Sequence, residues 1–133
     1  MIYALDTNII AYWLQKNKQI AEHIQGAIKQ GDTIIVPPPT YYEIRRGFKH
    51  KAAPAKEFAF SLICQSVEIG EMNMAAWEEA ADIYGKSRKA GKPIEDTDIL
   101  IAAFCIVNDY VLVTNNTDHF EGINGLQMVN WVE

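Results

Sequence analysis

Ile2-Tyr3-Ala4-Leu5-Asp6-Thr7-Asn8-Ile9-Ile10 opens the chain and sets how the rest is read. Ile2 to Leu5 reads as a short buried strand. Asp6 ends that strand at its carboxyl edge, and Thr7 to Leu14 looks helical. A carboxylate beside a core strand is expensive unless something pairs it. The residue therefore asks for a partner, and Thr7 and Asn8 are at hand to orient it. As the favoured residue at a helix N-cap, Asp6 also has a purely structural role open to it.

Working outward, strands and helices alternate. Ile20, Ile24, Ala27 and Ile28 follow helical spacing, and Gly31 stops that helix. Thr33-Ile34-Ile35-Val36 is a β-branched strand. Pro37-Pro38-Pro39 predicts an extended segment, with Thr40 as N-cap of a helix that carries Glu43. Another helix is expected around Ala52 to Cys64, then a weak strand at Val67 to Ile69. Met74, Trp77, Ala81 and Tyr84 mark one face of a long helix. Gly91-Lys92-Pro93 breaks the chain. A helix from Asp96 or Thr97 to about Asn108 precedes a buried strand, Val111 to Thr114, and Met128 to Val132 is a candidate final strand. The pattern predicts one α/β domain over residues 1–133, its mainly parallel sheet covered on both faces. Ligands of such sheets bind outside the carboxyl ends of the strands.

Three further stretches set polar residues beside apolar runs: Tyr42-Glu43-Ile44, Thr97-Asp98-Ile99-Leu100-Ile101-Ala102-Ala103 and Val113-Thr114-Asn115-Asn116-Thr117-Asp118. Glu43 alone reads equally as an exposed acid paired with a nearby Arg. Asp98 is the sharper case, because it shares a helix face with Ile101. Several acids gathered in one cleft repel one another, and a divalent cation relieves that repulsion. The pattern points to Mg²⁺ or Mn²⁺. Zinc is disfavoured, since His23, His50 and His119 show no ligand spacing. No P-loop, nucleophile elbow or dinucleotide fingerprint is present. His119 reads as a structural or surface residue.

The 133 residues are 49% hydrophobic, which supports a sizeable core, and carry a net charge of −5. No apolar run approaches the ~20 residues of a membrane helix. The N-terminus lacks the pattern of a signal peptide, so the expected location is cytoplasmic. Cys64 and Cys105, both in apolar surroundings, are expected as buried free thiols. The net charge argues mildly against a nucleic-acid partner, but its distribution argues for one. Arg45, Arg46, Lys49, Lys51 and Lys56 form one acid-free basic run, and Lys86, Arg88, Lys89 and Lys92 another. Arg45, Arg46, Lys86, Arg88 and Lys89 are the candidates for phosphate contact, against the plain reading of solvated helix faces.

Taken together, the four stretches resemble the PIN-domain nucleases, most closely the VapC-type toxins of bacterial toxin–antitoxin pairs. The likeness spans the chain: Leu5-Asp6-Thr7-Asn8, then Glu43-Ile44-Arg45-Arg46-Gly47, then Asp98 to Ala103, then Leu112 to Phe120. The resemblance implies a PIN-like fold, RNA phosphodiester hydrolysis, metal bound by Asp6, Glu43 and Asp98, a homodimer and a cognate antitoxin. The family often has a fourth acid two residues after the Thr. Here that position is Asn116, with Asp118 two residues on as the substitute for an active role, or as a turn residue. Thr7, Asn8, Thr114 and Asn116 are expected in support. The rival reading is a non-catalytic Mg²⁺-binding α/β module, either receiver-like or an inactive member of the same fold. A receiver wants paired acids after its first strand and a lysine after its last. Asp6 stands alone, and no lysine follows Lys92.

Overall fold

The computed structural model describes residues 1–132. The elements run β1 (Ile2–Leu5), α1 (Thr7–Leu14), α2 (Lys18–Lys29), β2 (Thr33–Val36), α3 (Pro38–His50), α4 (Pro54–Ser66), β3 (Glu68–Ile69), α5 (Met74–Lys89), α6 (Asp96–Asn108) and β4 (Val111–Val113), then a single 3-10 turn (Thr117–Phe120) and β5 (Gln127–Val129). The five strands form one sheet in the order β3-β2-β1-β4-β5. Every pairing is parallel, with Ala4 opposite both Ile35 and Leu112.

Strand alternation divides the core in two. Ala4, Ile35 and Leu112 point to the face covered by α5 and α6, where they meet Ile83, Ile99 and Phe104. Leu5, Ile34, Val36 and Val113 point to the other face, against Ile9, Ile10, Ile20, Ile24 and Phe60. This two-sided burial is why the strands are apolar throughout rather than alternating. The loop after β3 passes so close to α6 that a Cβ on Gly70 would sit 2.3 Å from the Phe104 ring, so only glycine fits there.

The structure corrects the sequence expectations at the prolines, at Cys64 and at the last strand. Pro38 and Pro39 are not extended: they form the first turn of α3, and Pro37 is the N-cap with no side-chain cap bond. The first turn of a helix has no use for an N–H, so proline is well suited to it. Thr40 is therefore inside the helix, and its buried hydroxyl has no hydrogen-bond partner among the described residues. On α5, the packing face is Ala76, Ala80, Ile83 and Ser87. Met74, Trp77 and Tyr84 lie on the opposite side and are 72%, 47% and 44% exposed. Small residues let α5 lie close on α6, whereas the large stripe points outward. Finally, Cys105 is buried but Cys64 only half-buried; both are free thiols. The last strand also falls slightly earlier than expected.

Candidate active site

In a parallel sheet the helix after each strand begins at the strand's carboxyl end, and a helix leading into the next strand begins there too. The N-termini of α1, α3 and α6 thus gather at one edge; α1 and α6 present backbone N–H groups that favour anions, whereas Pro38 and Pro39 remove them from the first turn of α3. Asp6 caps α1, Asp98 lies in the first turn of α6, and Glu43 lies in the second turn of α3.

Asp6 is 4% exposed and the most completely held of the three. It caps α1: its Oδ1 accepts the Thr7 N–H at 2.7 Å. Its Oδ2 accepts the Thr114 hydroxyl at 2.7 Å and the Asn8 amide at 3.3 Å. Burial pushes its pKa up, opposed first by the Thr114 hydrogen bond and then by that from Thr7. The cap role and the site role read from the sequence are therefore filled by one side chain.

Glu43 reaches from α3 to the start of α1. Its Oε1 accepts the Thr7 hydroxyl. Its Oε2 lies 3.4 Å from the Arg46 guanidinium, one turn on. Asp98 is less provided for. Its Oδ2 lies 3.4 Å from Nδ1 of His119, and its side chain is 18% exposed. Burial pushes its pKa up to about 6, helped by the charges of Asp6, Glu43 and Glu95 and opposed by His119. The Asp98 carboxyl thus feels the charge of two carboxylates far from it in sequence, Asp6 and Glu43.

The loop after β4 ties this edge together. Thr114 is fully buried. Its hydroxyl, besides donating to Asp6, accepts the Asn116 N–H at 2.9 Å. Asn115 donates its N–H to the Asn8 side chain and its amide to the Tyr12 hydroxyl, each at 3.2 Å, and accepts from Asn130. An open cleft of about 710 Å³ leads to Asp98, lined among others by Lys92, Glu95, Asp118 and His119. Asp118 is at the head of the 3-10 turn, within this cleft. Arg45 is committed to Glu57 on α4 at 2.9 Å. Lys86, Arg88 and Lys89 form the last turn of α5, with Arg88 over the Tyr84 ring.

Sequence reasoning left His119 and Asn115 out. Nothing in the local sequence links His119 to Asp98; the 3-10 turn creates the contact. Asn115 had a visible signal, a polar residue between the buried end of β4 and Asn116, but two adjacent amides hide which one is structural.

The donor set fits a hard cation. All three acids offer oxygen, and Asp98 carries an electrostatic penalty that a cation removes. Among the described residues no three acidic, His or Cys side chains converge closely enough to cage an ion as they stand. Mg²⁺ does not need such a cage, because it takes one or two carboxylates and keeps several waters.

A five-stranded parallel α/β sheet with acids gathered at its carboxyl edge defines a class, and the PIN domain model matches residues 3–126. The chain belongs to the PIN-domain family. It is 30% identical to ribonuclease VapC1 of Haemophilus influenzae over the whole length of both chains. It is 25% identical to the tRNA(fMet)-specific endonuclease VapC of Shigella flexneri, covering 97% of each. Among solved structures, VapBC2 from Rickettsia felis bound to a promoter DNA fragment superposes with a TM-score of 0.92 at 25% identity, covering 98% of this chain and 99% of that one. VapBC-1 from nontypeable H. influenzae gives 0.86 at 31% identity with both chains covered completely.

Proposed function

We propose that this chain is a metal-dependent ribonuclease and the toxin of a type II toxin–antitoxin module. The observation that carries the reading is the meeting of Asp6, Glu43 and Asp98, from three separate elements, with the Asp98 carboxyl held near pKa 6. Full-length likeness to VapC ribonucleases and to the toxin chains of VapBC complexes supports RNA as substrate and an antitoxin as partner.

Asp6, Glu43 and Asp98 are the residues to hold Mg²⁺ or Mn²⁺. When bound, such an ion offsets their mutual repulsion and acidifies water for attack on a phosphodiester. The protein's own part is mainly positioning. Thr114, Thr7 and Asn8 fix both oxygens of Asp6, leaving one orientation for its outer lone pairs. Glu43, now engaged by Thr7 and Arg46, would turn from them to help hold such an ion, leaving the Arg46 guanidinium available to a phosphate oxygen. Asp98, its carboxyl pushed up to about 6, would hold such an ion as a carboxylate. Asp118 and His119 border the path of a water or leaving group, and Asn116 contributes an amide rather than a charge. Lys92 and Lys86 extend the path along the outer cleft.

Structured RNA incubated with Mg²⁺ or Mn²⁺ should be cut, and EDTA should stop cleavage. Asp98→Asn, purified identically, should be inert. Cleavage undiminished by EDTA and by Asp98→Asn would refute a metal-dependent nuclease at this site.

A further inference from the structure

A cavity of about 220 Å³ lies beside the acid cleft, and none of Asp6, Glu43 and Asp98 lines it. Ile83 of α5, with Ile94 and Ile123, gives it an apolar floor that continues the core. Glu79 and Lys86, two turns apart on α5, stand around it with Lys92 and Glu121. Lys92, Ile94, Glu121 and Gly122 also line the cleft that leads to Asp98, so one wall is common to both cavities. The pocket is smaller than the ~300–1,000 Å³ of sites that hold a whole small molecule. It suits one ring system attached to something held in the cleft.

Glu79, Lys86, Lys92 and Glu121 make no ion pair among the described residues. The occupant therefore has to answer both signs of charge above an apolar floor. A hydrocarbon side chain would leave all four charges without a partner. A phosphate would be repelled by the two acids. A flat ring with donors and acceptors on its edges meets all three conditions, and a nucleobase is such a ring.

We propose that this pocket receives a guanine base of the RNA, splayed out of the strand beside the phosphate held at the acids. The proposal rests on the acid cleft being the place of cleavage. Unstacked bases are read in this way, by apolar contact on the ring faces and hydrogen bonds on the edges. The edges select guanine. Its N1–H and N2–H lie side by side and donate in parallel to one carboxylate, whereas each other RNA base has a single donor group. Its O6 and N7 accept from a lysine ammonium. Glu79, half-buried one turn before Ile83, takes the first edge and Lys86 the second. Lys92, on the common wall, meets the phosphate that joins this nucleotide to the cleft. Glu121, on the same wall, repels phosphate and keeps the pocket itself for the base.

Titration of the isotope-labelled full chain with ribonucleoside monophosphates, followed by amide NMR shifts, reads the pocket without any cleavage. GMP should shift the signals of Glu121, Gly122, Ile123 and Asn124, with half-saturation at least about 10-fold below AMP, CMP or UMP. Inosine monophosphate keeps O6, N7 and N1–H but lacks the N2 amine, and should fall between GMP and AMP. Glu79→Gln should bring GMP to the level of AMP, since its amide sets a donor where the carboxylate had an acceptor. Ala90→Phe, at the exposed end of α5 where it lines the pocket, should obstruct it and abolish these shifts with an unchanged melt. On a randomised RNA pool, the wild type should cut at a fixed distance from guanine, and Glu79→Gln should cut without that preference. GMP selectivity in a chain that cuts no RNA would uphold the pocket and overturn the nuclease reading. Equal half-saturation by the four nucleotides, or a Glu79→Gln chain that still selects GMP, would overturn the proposal and leave the nuclease reading standing.

Discussion

Asp6 and Asp98 lie at the same edge of the sheet, near enough for one to feel the other's charge, and the protein treats them differently. Asp6 is almost wholly buried, yet both its oxygens are hydrogen-bonded, by Thr7, Asn8 and Thr114. Asp98 is less buried, has His119 at 3.4 Å, and lies in the fields of Asp6, Glu43 and Glu95. A buried carboxylate is tolerable when its lone pairs are filled. Asp6 meets that condition from within the chain. Asp98 leaves an imbalance that only a proton or a cation can correct. One corner of the site is built in advance; the other is held ready for what binds.

The largest effect that sharpens this contrast is on turnover. Asp98→Asn should lower RNA cleavage by more than about 100-fold, beyond the ~10–100-fold typical of losing a group that merely supports a metal ligand. Its metal-free melting temperature should hold or rise, because a destabilising charge is gone. A fall in both activity and metal-free stability would make Asp98 a second prebuilt corner.

Thr114→Val probes the other corner. The substitution preserves shape and deletes the hydroxyl that Asp6 accepts. Turnover should drop about 10-fold or more and stability by roughly 1–3 kcal/mol, since Asp6 keeps its burial and loses its main compensation. Chemical denaturation and initial rates on one preparation read both quantities. Unchanged values would mean that Asp6 is not preorganised through Thr114.

Acid should stabilise the metal-free chain through Asp98. Its folded pKa, about 6, lies above the ordinary 3.8, so the folded state holds this proton more tightly than the unfolded state does. The penalty is fully present above pH 6 and is relieved as pH falls toward 3.8, by up to ~3 kcal/mol. Asp6, also raised, acts in the same direction. The stability difference between wild type and Asp98→Asn should shrink across this window in EDTA. A difference independent of pH would remove the imbalance assigned to Asp98.

The smallest expected effect concerns Asp118. If it acts on the attacking water, Asp118→Asn should cut kcat several-fold with RNA affinity unchanged. If it only shapes the 3-10 turn, stability should fall and turnover per folded molecule should persist.

Much of this was legible in the sequence because of its cost. Asp6 beside Leu5 and Asp98 beside Ile99 are hard to place in a folded chain unless they serve a site, and β-branched runs made the strands plain. What stayed hidden depended on direction. Helical spacing identified the Met74–Trp77–Tyr84 stripe but could not say whether it faces α6 or solvent. Three prolines read as an extended segment, although two of them suit the first turn of α3. His119 joins Asp98 only through a turn whose geometry no local pattern encodes.

The central claim is that the imbalance at Asp98 is resolved by a divalent cation shared with Asp6 and Glu43. Thermal or chemical unfolding of wild type and Asp98→Asn, with and without Mn²⁺, tests it most directly. With Mn²⁺ at a hundred times its dissociation constant, the wild type should gain ~2.7 kcal/mol, and Asp98→Asn should gain almost nothing at the same concentration. Equal gains in the two proteins would contradict it.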